Sequence, residues 1–131
     1  MTWSGSLPPA VIVHSLAEAR AALAGGEAVT LISPPGAALY AGCGWWRALI
    51  EAAGAEFPDA DCIDILDCAD GTGQALAALR IGLNRLVLNP DAPGRDAVVA
   101  IAEARGGFVL SEAPQVNPRL TNSRINHAAA R

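Results

Sequence analysis

The stretch CIDILDCADGTGQALAALRIGLNRLVLNP, Cys62 to Pro90, decides the fold class. Cys62 to Leu66 is a short apolar run of strand type, interrupted only by Asp64. Asp67 to Gly73 is a glycine-rich turn, and the following QALAALRIGL has the spacing of a helix that buries one face. Arg85 to Leu88 is a second apolar run, ended by Asn89-Pro90. Two strands joined by a single helix make a βαβ unit, whose strands lie parallel. Asp64 is expected near a strand end or an edge, because an unpaired charge inside such a sheet is costly.

Outward from this unit the alternation repeats. Upstream, AVIVHS (Ala10 to Ser15) and AVTLIS (Ala28 to Ser33) read as strands. Between them SLAE is a capping box, in which Ser15 accepts from the Glu18 amide and Glu18 reaches back to the Ser15 amide. That helix stops at Gly25-Gly26. WWRALIEAAG supplies a second helix, and downstream RDAVVAIAEARGG and FVLS supply a further helix and strand. The expectation is a single α/β domain of about five mostly parallel strands alternating with four helices. Right-handed crossovers leave two arrangements. One is an open three-layer α/β/α sheet of the flavodoxin or receiver type; the other is a half-barrel with the helices outside.

Residues 1–9 read as a lead-in, 10–112 as the domain and 113–131 as a polar, locally basic tail. The tail has arginines but no acid from Pro114 onward, and is expected to be a loosely docked end or an arm that packs on a partner.

Composition narrows the function classes. The chain has 131 residues, 52% hydrophobic and 17% charged, with only 5% aromatic. Mean hydropathy is +0.31, so the apolar count rests on small aliphatic residues that suit close helix–sheet packing. No apolar run approaches the ~18–20 residues of a membrane span. The first twenty residues have no basic leader, which makes the cytoplasm the expected compartment. Cys43, Cys62 and Cys68 are odd in number and form no C-x-x-C pair, consistent with reduced thiols. A net charge of −4 disfavours nucleic acid as a partner. All nine basic side chains are arginines, so a Schiff-base lysine and a Walker A phosphate loop are excluded.

In a parallel sheet, chemistry collects beyond the carboxyl ends of the strands. That rule gathers His14, Ser33, Tyr40, Cys43, Asp67, Cys68, Asp70, Gly71, Thr72, Gly73 and Asn89 as the candidate crevice. Tyr40 and Cys43 could serve as proton donor and nucleophile, though a cysteine in such a loop also serves as a small buried apolar group. Trp45 and Trp46 lie ~100° apart on one helix, so one can face the sheet while the other turns outward to a subunit contact or serves as a pocket lid. Metal binding needs at least three converging ligands, and no spacing of His and Cys supplies them, so no metal is expected. Thr72 or Asp70 is expected to cap the helix after the turn.

ILDCADGTG, Ile65 to Gly73, resembles the first motif of the S-adenosylmethionine-dependent methyltransferases through Ile65, Leu66, Asp67, Gly71, Thr72 and Gly73. The resemblance implies a cofactor over the glycine turn, with Asn89 or Asp91 holding its ribose. Ala69 and Asp70 depart from that pattern. Asp67 also falls where the receiver domains of response regulators carry their phosphoacceptor, but the acidic pair and the lysine of that family are missing. Across most of its length the chain resembles short hypothetical α/β proteins of proteobacteria, with SPPGA…GWWRAL and an LDC strand end; that resemblance implies a fold and no activity. The expected function is therefore binding of a small ligand, or of a second copy, without catalysis and without a cofactor. The alternative is a small enzyme using the crevice beyond strands two and three, with a nucleotide or S-adenosylmethionine as its ligand.

Overall fold

The computed structural model describes residues 6–116, so most of the basic tail lies outside the described residues. Its elements alternate throughout: β1 (Ala10–Ile12), α1 (Leu16–Ala24), β2 (Val29–Ile32), α2 (Ala37–Tyr40), α3 (Cys43–Glu56), β3 (Cys62–Asp67), α4 (Thr72–Arg80), β4 (Arg85–Val87), α5 (Arg95–Ala104) and β5 (Phe108–Leu110). One domain with an all-parallel, five-stranded sheet is the α/β class that the sequence indicates. Among the described residues there are five helices where the sequence suggested four. The additional one, α2, is a single turn inside the proline- and glycine-rich loop, started by Gly36 in the left-handed region (φ 67).

The sheet order is β1-β2-β3-β4-β5. Every right-handed crossover therefore advances one strand in the same direction, which places the connecting helices on one face. Side-chain packing agrees. All five helices contribute to one core, including Ala19, Ala38, Trp46, Leu79 and Val98, together with Val11, Leu31, Leu66 and Leu86 from the strands. The opposite sheet face forms a separate cluster of Ile32, Ile65, Val87 and Phe108. No helix residue belongs to it; Leu7 and Val116 come to it from outside the sheet. Among the described residues this corrects the three-layer arrangement: consecutive strand order is the winding of a partial barrel, the other arrangement named above.

Local signals mostly hold, with instructive departures. Ser15 caps α1 by accepting from the Glu18 amide (3.2 Å). Glu18, however, reaches one residue further back than a capping box requires, to the amide (2.6 Å) and Nδ1 (2.9 Å) of His14. The start of α4 is not capped by Thr72 or Asp70; Gly71 occupies the cap position and Thr72 Oγ1 instead donates to the Pro93 carbonyl. Asp64 is half-buried and paired, its Oδ1 2.8 Å from Arg85 Nη2. Among the described residues no helix is long and apolar enough to cross a membrane.

Candidate functional site

The carboxyl edge is built by four loops that bind to one another. Ser33, 1% exposed at the end of β2, accepts from the Asp67 amide (2.9 Å) and donates to the Pro34 carbonyl. This stitches the ends of β2 and β3. Asp67 is buried, and its Oδ1 accepts from the Ala69 amide (2.9 Å), so the carboxylate turns back on its own loop. Ala69 sits in the left-handed region (φ 48), uncommon for a residue with a Cβ. Its carbonyl accepts from the Asn89 amide at 2.7 Å, tying the β3 and β4 loops. Arg95, at the head of α5, donates to the Leu88 carbonyl and to Ser111 Oγ, closing β4 against β5.

Gly71 lies at the centre. A Cβ built there would stand 2.4 Å from Gln74 Oε1 and 2.5 Å from Leu39 Cδ2. The ends of the exposed Gln74 and Leu39 side chains thus lie beside this turn, where the methyltransferase resemblance would put a cofactor. Leu39 was not legible as a site residue, since in sequence it looks like any core leucine.

Of the expected residues, the loops bring Ser33, Asp67, Cys68, Gly71, Thr72 and Asn89 into one connected edge. Gly73 and Asp70 lie on its outer surface. His14 is exposed and its ring faces Glu18, while Ser33 is engaged with the Asp67 amide. Cys43 is half-buried at the first position of α3. Cys68 is sealed, and burial above all, then the charge of Asp67 and Cys43, pushes its thiol up from 9.0 to about 12. At neutral pH it keeps its proton, and a thiol without its thiolate is a poor nucleophile. Among the described residues, no cluster of three or more His, Cys, Asp or Glu could hold a metal ion.

The two tryptophans part company. Their rings are 5.7 Å apart and tilted by 43°, yet Trp46 is fully buried in the helix-side core while Trp45 is half-buried. Trp46 is therefore withdrawn as a contact residue. In its place α2 presents Leu39, 45% exposed, and Tyr40, 70% exposed. No protein-family model and no curated protein matches the sequence.

Proposed function

We propose that the protein is a non-catalytic association module that meets a second copy of itself through the carboxyl edge, with Tyr40, Leu39 and Trp45 at the contact. The observation that carries this reading is α2. It is one turn long and turns Tyr40 outward, while Leu39, the other exposed large hydrophobic side chain of the described residues, lies partly over Gly71. Rigid, amphipathic Tyr and Trp are the side chains that anchor interfaces at low entropic cost. The surroundings favour a copy as the occupant. Ser33 to Trp46 contains no charged residue, and in a chain of net charge −4 an uncharged patch is where two copies can approach without repulsion. A two-fold contact also needs a self-compatible surface, which such a patch supplies. Three side chains make only the centre of an interface that ordinarily buries ~800 Å² per partner, so a weak dimer is the expected form.

The competing reading, an enzyme in the same crevice, would rely on Cys68 and Asp67. The protonated thiol and the back-turned carboxylate weigh against that reading. A cytoplasmic setting fits the free thiols of Cys43, Cys62 and Cys68. Sedimentation equilibrium tests the proposal. Tyr40→Ala and Trp45→Ala should each weaken dimerisation at least ~tenfold, equivalent to ~1.4 kcal/mol, with the fold retained by circular dichroism. A wild-type chain that stays monomeric at millimolar concentration would sink it.

A further inference from the structure

The described cavities lie on the other edge of the sheet. One of about 230 Å³ is bounded by α3, by the start of β4 and by the loop that precedes it. Its charged walls are Arg47 and Glu51 from α3, Asp64 from β3 and Arg85 from β4, over an apolar floor that includes Ile50 and Leu83. Asp64 stands in register with Leu31 of β2 and alternates with Leu66 along β3, so it occupies a position of the helix-facing row, where its neighbours are fully buried. The Asp64 carboxylate is thus largely desolvated, with its side chain 15% exposed, and it is met there by an Arg85 guanidinium that stays 34% exposed toward the cavity; an apolar residue at position 64 would hold the same space at equal or lower cost. The pair is thus poorly explained as packing alone.

We propose that this cavity binds a small zwitterion, an α-amino acid with an aliphatic side chain. Two guanidiniums and two carboxylates give the walls no net charge. A simple anion would gain at Arg47 but meet Glu51 and Asp64, and a simple cation would meet the two arginines; a ligand bearing both charges on adjacent groups satisfies both. The hydrogen bonds leave groups for this role. Arg85 spends Nε and Nη2 on the Asp64 carbonyl and Oδ1. Asp64 Oδ2 and Arg85 Nη1 have no partner among the described residues. Arg47 spends Nη1 on the Ile81 carbonyl, and its Nε stands 3.5 Å from Glu51 Oε1, which leaves Nη2. The ammonium falls to Asp64 and Glu51, the carboxylate to Arg47 and Arg85, and the side chain to Ile50 and Leu83. The volume is below the ~300 Å³ at which drug-sized pockets begin, in keeping with a ligand of this size.

The test is a titration with L-leucine, followed by the amide resonances of Gly82 and Leu83 and by thermal shift. Two analogues accompany it: 3-methylbutylamine, without the carboxylate, and 4-methylpentanoate, without the ammonium. L-Leucine at about 10 mM should shift both amides and raise the melting temperature, because a ligand that binds only the folded state must stabilise it. Each analogue should bind at least ~tenfold more weakly. Arg47→Gln and Glu51→Gln, both at exposed positions, should each cost a similar factor with the fold retained by circular dichroism. Tyr40→Ala should bind as the wild type does, which separates this site from the dimer contact. No response to L-leucine, equal binding of either analogue, or undiminished binding by Arg47→Gln would overturn the proposal.

Discussion

Trp46 combines full burial with an indole N–H that has no hydrogen-bond partner among the described residues. Its ring volume stabilises the helix-side core, while its donor costs about 1–3 kcal/mol in lost hydration. The two effects separate by substitution. Trp46→Ala should lose ~3–5 kcal/mol through the cavity it leaves. Trp46→Phe removes the unsatisfied donor along with part of the ring, and chemical denaturation should place it within about 1 kcal/mol of the wild type. Cys68 gives a second residue-scale expectation, for alkaline pH. Its folded thiol titrates near 12 and the ordinary value is 9.0, so above about 9 the unfolded chain releases a proton that the folded chain keeps. The group costs nothing below that value, and stability falls as pH rises from about 9 towards 12, by up to ~1.4 kcal/mol per unit. Cys62, raised chiefly by burial, acts in the same direction. Cys68→Ala should start less stable at neutral pH, through its lost contacts, and then show a shallower decline between about pH 9 and 11 in urea titrations.

Between elements, what matters is how closely one backbone passes another. Gly107, just ahead of β5, lets the strand approach the end of the α4–β4 loop. A Cβ there would lie 1.8 Å from the Asn84 carbonyl oxygen, which accepts from the Phe108 amide at 2.9 Å. Neither side can yield, because the oxygen belongs to the backbone and a Cβ is fixed rigidly to its own. Gly107→Ala should cost at least the upper end of ~1–3 kcal/mol, and a lowered denaturation midpoint with unchanged slope would register it. In sequence, Gly106-Gly107 reads only as a helix stop. Gly106 fits that role, in the left-handed region at φ 80, whereas the demand on Gly107 comes from a loop 23 positions earlier. The Asp67–Gly73 turn carries the same lesson. Its glycines read as a local turn, but a Cβ at Gly71 would meet Leu39, thirty-two positions upstream.

For the whole molecule, consecutive winding separates two faces and two edges. The helices share one core, the other sheet face is a strand-only cluster closed in part by Leu7 and Val116, and Val116 pairs in parallel with Ala10 at the outer side of β1. The proposed self-association contact belongs to the carboxyl edge and the proposed zwitterion site to the amino edge, so loss of one should leave the other intact. The class of fold was readable from the sequence. Apolar strands, the Ser15 cap and the glycine stops are local signals, set by backbone geometry and hydrogen bonding within a few residues. The grouping of Ser33, Asp67 and Asn89 was readable too, since it follows from parallel topology alone. The strand order was not, because both arrangements use the same strands and helices and differ only in which neighbours pair. Nor was the choice between Trp45 and Trp46, or the approach of Leu39 to the Gly71 turn. Those depend on which side chain reaches a given space first, and only packing between distant segments decides that.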